Sequence, residues 1–380
     1  MIYADNAATT RISDGVFEKM LPFLREQYGN ASSQYSLGAK AKRAVELARK
    51  QVSDAVGADL SEIAFTSGGS EANSWVLHSI SDSYRNDNVH IITSSIEHPS
   101  VLNACHALEK TGVEITFLPV DKVGRVSVED VASAIKPYTK LVSIMLANNE
   151  IGTIQPIAEV GKLLHEKNIL FHTDAVQAVG HIPVDVHDLQ VDFLTASAHK
   201  FNGPKGTGIL YKRAGLKLAP LIFGGEQEHG LRAGTENVAG IVATGYAVEE
   251  NIEKMSSTSK HLQELAAATI SGIKQRIPST RVNGEGGQCL PGLLNLGFDG
   301  VSGEALMHLL DLKSVCVSTS SACASGKNEP SHVLLALGQT EDQAKSAIRI
   351  SYGRYNTIDE VRTIVSGLCV SCEKIRKAKS

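Results

Sequence analysis

The sequence has little that would mark it as a secreted, membrane or nucleic-acid-binding protein. Cysteines number only six in 380 residues, too sparse for a disulfide framework in a chain of this length. No apolar run reaches the length of a membrane span, and the opening "MIYADNAATT" lacks a basic and apolar targeting pattern. The net charge is only -4, which argues against a polyanion or an anionic membrane as the main partner. Basic clusters such as "KAKRAVELARK" (40 to 50) recur at helical spacing and read as solvated helix faces. The expectation is a cytoplasmic protein. There is one CxxC, Cys369 and Cys372, but no second CxxC or HxxxH to complete a zinc set, so no metal is expected. Both thiols sit in "SGLCVSCEKIRK" and read as faces of a terminal helix.

What remains is ordinary globular composition, 42% hydrophobic with 33 glycines, enough for a large core and two domains. From about residue 60 to 215, strand-like runs alternate with helical ones: "EIAFTSG", "VHIITSS", "VEITFLPV", "KLVSIMLANN", "ILFHTDA" and "VDFLTAS" each precede a helical or small-residue segment. That order predicts an α/β fold with a mostly parallel sheet flanked by helices. A long helical stretch is expected over about 235 to 276, then a second, smaller α/β pattern. In such sheets ligands sit outside the carboxyl ends of the strands. The polar residues fall at those ends: Ser67 to Ser70, Glu97 and His98, Asn148 and Asn149, Asp174, and Ser197 to Lys200.

Lys200 lies between the apolar run "VDFLTAS" and the glycine-rich "GPKGTG". A lysine there fits a solvated loop cation, a phosphate contact, or an amine for Schiff-base chemistry. In the last case pyridoxal 5′-phosphate would impose four demands: a phosphate cradle, an acid for the ring nitrogen, a partner for the ring oxygen, and a group stacked on the ring. "TSGGSEAN" (66 to 73) supplies glycines and Ser70 at a strand-to-helix turn, where backbone N–H groups favour an anion. Ser197 and His199 flank Ala198 and can serve the same anion. Asp174 ends a run that reads as buried on both faces, so its carboxylate calls for a cationic partner. Gln177 and Asn149 are within reach of a ring oxygen, and His98 can stack. Alone, each is more often a cap or a core residue; together they are hard to attribute to chance.

"FHTDAVQAVG", "SAHKFNGPKGTG", "FTSGGSEAN", "ANNEIGTIQP" and "RAGTEN", with "YADNAATT" and "SSACASGKNEPSHVLLALG", resemble the cysteine desulfurases of the class V aminotransferases (fold type I), from residue 3 to about 355. The resemblance implies a large cofactor-binding domain over 15–260 with a seven-stranded sheet, and a small domain formed by 1–14 and 261–380 that carries the catalytic cysteine. It implies a homodimer that converts L-cysteine to L-alanine, using pyridoxal phosphate bound to Lys200. Asp174 is then the partner of the ring nitrogen, Gln177 and Asn149 lie near the ring oxygen, and His98 stacks and moves a proton. Gly69, Ser70, Ser197 and His199 hold the phosphate, with Thr235 reaching the partner subunit's phosphate. Arg349 grips the substrate carboxylate, a task suited to a bidentate guanidinium. Cys323, in a run of small polar residues, takes the sulfur as a persulfide for a sulfur-acceptor protein, an iron–sulfur scaffold among the candidates; its "SSACxSG" setting resembles the branch related to IscS and NifS.

Departures accompany the match. The phosphate turn has "GGSEANS" in place of the commoner "GATEANN", though Ser70 keeps a hydroxyl. Ala31 and Tyr35 stand where many members have Pro and His. No longer tail follows Ser380 to suggest a scaffold-docking segment. A selenocysteine lyase or a transaminase on the same scaffold is the nearest rival, and neither explains Cys323. A metal or redox protein built on the cysteines would leave Lys200, Asp174 and Gln177 unexplained, and "GPKGTG" is not a dinucleotide fingerprint.

Overall fold

The computed structural model describes residues 1–84, 87–319 and 329–378. Apolar, β-branched runs form a seven-stranded sheet in the order Ile63–Thr66, Gly208–Lys212, Phe193–Ser197, Leu170–Asp174, Thr139–Ser143, His90–Ser94, Glu114–Leu118. Gly208–Lys212 pairs antiparallel with both neighbours, and the remaining pairings are parallel. Strands His90–Ser94 and Phe193–Ser197 are buried along their whole length and Leu170–Asp174 from Phe171 onward, because helices cover both faces. One face packs Val142, Ile144, Phe171 and Leu194. The other packs Trp75, Leu77, Ile91 and Phe193.

A second sheet of four strands, Ser318–Thr319, Ala347–Ser351, Leu293–Phe298 and Thr280–Val282, is antiparallel throughout. It carries its own core of Leu296, Phe298, Ile348 and Ile350, closed by the helices Gly303–Asp311 and Ile358–Lys377. The amino terminus joins this region: Ile2–Tyr3 pairs in parallel with Val315–Cys316, and Ala4 sits in the same core.

The expected long helix is Val238–Arg276, capped by the Asn237 side chain on the Gly240 N–H. Two local expectations differ. Asn148 and Asn149 lie past the end of strand Thr139–Ser143, in a segment held by a bridge between Ala147 and Ile154. Asn148 uses both ends of its amide there, accepting from the Glu150 and Ile151 N–H groups and donating to the Ile96 carbonyl. "VQAVG" is a run of turns rather than a helix. Asp174 Oδ1 accepts from the Val176 N–H, which bends the chain immediately after the strand, and the only helix between Leu170–Asp174 and Phe193–Ser197 is the four-residue Val186–Leu189.

Among the described residues no helix is long and apolar enough to cross a membrane. Cys372 is buried and Cys369 half-buried in the terminal helix, matching the expected helix-face thiols. No cluster of three metal-ligating residues occurs among the described residues.

Candidate active site

A cavity of about 380 Å³ opens at the carboxyl ends of the parallel strands, within the size range of small-molecule sites. Its lining brings together Gly69, Ser70, His98, Asn149, Asp174, Gln177, Ser197, His199, Lys200 and Arg349. Thr235 is exposed and is not among the lining residues. Cys323 lies outside the described residues.

Lys200 closes a single turn, Ala198–Lys200, straight after strand Phe193–Ser197. Its ammonium donates to the Ala7 carbonyl at 2.6 Å and the Ala8 carbonyl at 2.9 Å. The amino-terminal segment therefore fixes the side chain at the pocket. Gln177 donates to the same Ala7 carbonyl at 2.9 Å.

Asp174 is only 5% exposed. Its two oxygens accept from the Val176 N–H at 2.9 Å and the Asn73 amide at 2.7 Å. Both partners are neutral, so a buried carboxylate on the pocket wall faces the space where a cation would be stabilised.

The anion cradle is the start of the helix Gly69–Ser83. A Cβ on Gly69 would lie 2.7 Å from Val176 Cγ2, so the glycine lets the helix start approach the residue after the Asp174 strand without displacing the Val176 side chain. Around that start a groove is lined by Ser67 to Glu71, Ser197, His199 and Lys205. His199 is held down to about 4, chiefly by burial and further by Lys200 and Lys205, so it is neutral near pH 7 and its ring can donate or accept. Its Nδ1 lies 3.2 Å from the Thr9 hydroxyl.

Arg349 is buried, with Nη2 on Asp5 Oδ1 at 2.7 Å and Nη1 on the Asn149 carbonyl at 2.9 Å, while Nε is buried without a partner among the described residues. Asp5 thus supplies the counter-charge that makes a buried guanidinium tolerable. Glu97, beside His98, is pushed up to about 8 by burial and so is neutral at pH 7. Its carbonyl accepts from His332, and Glu150 accepts from Ser331, so two buried glutamates brace the chain that re-enters the described structure at Glu329.

Behind the cradle, Arg232 pairs with Glu71 at the start of the cradle helix, and the buried Arg49–Glu228 pair holds the same segment at 2.7 Å. These ties anchor the loop that carries Thr235. Sequence reading missed Asp5, Asn73, Ser100, Lys205 and Ser318. The signal for Asn73 was present, since it sits one turn past Ser70 on the cradle helix, on the side facing Asp174.

The chain matches the aminotransferase class-V family over residues 2–364. It is 48% identical over 369 residues to a cysteine desulfurase IscS of Clostridium botulinum, covering 97% of this chain and 93% of that relative. The chain belongs to the class-V aminotransferase family. Within that family its relatives are cysteine desulfurases, and it is an enzyme of that group. An IscS of Methanosarcina thermophila is 47% identical over 375 residues, with 99% and 93% covered. Among solved structures, a NifS-like protein superposes with a TM-score of 0.91 at 39% identity, covering 99% of this chain and 98% of that one. SspA in complex with cysteine superposes at 0.85 with 36% identity, covering 94% and 100%. The fold of this class-V chain is therefore the one that its strand-end motifs imply.

Proposed function

We propose that this cysteine desulfurase is a homodimer that uses pyridoxal 5′-phosphate to convert L-cysteine to L-alanine, leaving the sulfur as a persulfide on Cys323. The observation that carries the reading is a single pocket holding Lys200, the neutral-partnered Asp174 carboxylate, the Gly69 cradle and Arg349. These residues fit the cofactor. Lys200 would hold it covalently, and Asp174 would pair with its ring nitrogen. Gln177 and Asn149 would lie near its ring oxygen. Gly69, Ser70, Ser197 and His199 would hold its phosphate, with Thr235 of each subunit serving the other's site. Bound there, the cofactor supplies an electron sink next to the substrate's Cα.

The chain's own residues do the remainder. Arg349, with Nε still unpaired among the described residues, takes the substrate carboxylate and sets its orientation. His98 moves a proton at the reacting carbon. The Cys323 thiolate bonds to the substrate sulfur while the C–S bond breaks. Its electron pair stays on the substrate carbon and is protonated, so cysteine plus one enzyme thiol gives alanine plus one enzyme persulfide. A sulfur-acceptor protein, such as an iron–sulfur scaffold, then removes the outer sulfur. The activity belongs to the cytoplasm, where thiols stay reduced. We also assign the chain two units, 15–260 and 1–14 with 261–380, sharing the helix Val238–Arg276 across their boundary.

The direct test is an alanine and sulfide assay of the purified protein with L-cysteine. Asp174→Asn keeps the fold and lowers kcat by about a hundredfold or more, because an amide cannot stabilise a protonated ring nitrogen by charge. Turnover within about twofold of the original would remove Asp174 from that role. Sedimentation gives about twice the 40.5 kDa chain mass, with cofactor lost on dissociation; a fully active monomer would exclude the shared site.

A further inference from the structure

Between Asp174 and His98 lies a continuous line of hydrogen bonds that neither the cofactor nor the substrate explains. Asn73 is 1% exposed, and its amide nitrogen reaches Asp174 Oδ2 at 2.7 Å and Ser100 Oγ at 2.9 Å. Ser100 Oγ in turn lies 2.8 Å from His98 Nδ1, and the Ser100 backbone N–H donates to that same nitrogen at 3.2 Å.

The direction of each bond follows from the chemistry at its ends. Asp174 only accepts, so Asn73 must present its NH₂ to it, and the second hydrogen of that NH₂ goes to Ser100. Ser100 Oγ therefore accepts from Asn73 and spends its own hydrogen on His98 Nδ1. The backbone N–H of Ser100 imposes the same polarity, because His98 caps the helix Pro99–Glu109 by accepting there. Nδ1 is an acceptor twice over. In the neutral ring, the proton can only be on Nε2.

We propose that Asn73 and Ser100 are positioning residues that relay Asp174 to His98 and fix the His98 proton on Nε2, the nitrogen not engaged by Ser100. The consequence for catalysis rests on the reading of His98 as the proton-transfer group: His98 meets its substrate already loaded with a proton on a known atom. Protonating Nδ1 as well would set a third hydrogen against the two donated by Ser100. Ser100 thus opposes the imidazolium, in the same sense as burial, the leading influence on this ring. The charged and titratable groups facing it are Asp174, which favours the cation, and Lys200 and His332, which oppose it, with Glu97 adjacent in the chain. Without Asn73, the Ser100 hydroxyl is released to turn and accept from Nδ1, which favours the charged ring.

The test uses full-length protein as purified, labelled with ¹⁵N-histidine, with His98→Gln identifying the His98 signals. The expected spectrum shows Nε2 protonated and Nδ1 bare at neutral pH. In Asn73→Ala the His98 titration midpoint rises by about half a pH unit or more. Because Asn73 is buried, Ser100→Ala is read in parallel: it gives a rise in the same direction, and Ser100→Thr, which keeps the hydroxyl, restores the original midpoint. A ring protonated on Nδ1 in the unaltered protein, or a midpoint unmoved in both alanine variants, overturns the relay. Turnover is a separate readout. An acid limb of the kcat–pH profile that stays in place in a variant whose His98 midpoint has moved leaves the relay standing and overturns the role of His98 in proton transfer.

Discussion

Lys200→Ala abolishes alanine formation from L-cysteine and leaves a protein that still unfolds cooperatively. The stability cost is small, because the lysine gives up its bonds to the Ala7 and Ala8 carbonyls at a half-buried position, about 1–3 kcal/mol on the usual net value of a hydrogen bond. The functional cost is large. Lys200 is the amine that the pocket carries at the end of a buried strand, opposite Asp174 and beside the cradle, and no neighbouring residue can take its place in bonding the cofactor. Lys205 lines only the adjoining groove, where it faces the cradle rather than the main pocket. The measurement is borohydride reduction followed by peptide mapping. The unaltered protein carries the cofactor on Lys200, and the variant carries none; a covalent adduct on another lysine would end the assignment.

The residues legible in the sequence are those whose position depends on the chain near them. Asp174, Ser197 and Lys200 follow buried apolar runs, and Gly69 and Ser70 open a helix, so strand-end logic finds them without knowledge of the fold. His98 is found the same way, though its capping of Pro99–Glu109 is seen only in three dimensions. What escaped depends on contacts across long separations. Asp5 meets Arg349 across most of the chain, and it does so only because Ile2–Tyr3 pairs with Val315–Cys316 and brings the amino terminus to the second sheet. Nothing in "YADNAATT" announces a counter-ion. Ser318 enters the pocket by pairing with Arg349 in the same sheet, for which a two-residue strand leaves no periodic trace. Asn73 and Ser100 belong to different helices, and each reads locally as an ordinary polar helix residue. The turn after Asp174 was missed because it is set by the Asp174 side chain accepting from the Val176 N–H, a contact that a segment as short as "VQAVG" does not announce by any period.

Cys323→Ser has the other large effect: no alanine and no protein persulfide, with the cofactor still bound and cysteine still taken up, seen as a change in its absorbance. The other thiols are poorly placed to take its role. Cys105 and Cys372 are buried, and burial pushes both up to about 12, so neither supplies thiolate near neutral pH. No cysteine is among the described lining residues of the pocket. Cys316 is the described thiol with the best claim, since it lies two residues before the pocket-lining Ser318. It is also held in a parallel pairing with Tyr3, which fixes its backbone and gives it no means of carrying sulfur out to an acceptor. Cys316→Ser therefore keeps its activity where Cys323→Ser loses it. Since the thiolate is the reacting form, alanine production in the unaltered protein rises with pH through the pKa of the attacking thiol. Mass-spectrometric mapping after one turnover decides between the two: sulfur on Cys323 supports the mechanism, and sulfur on Cys316 with Cys323→Ser fully active would overturn it.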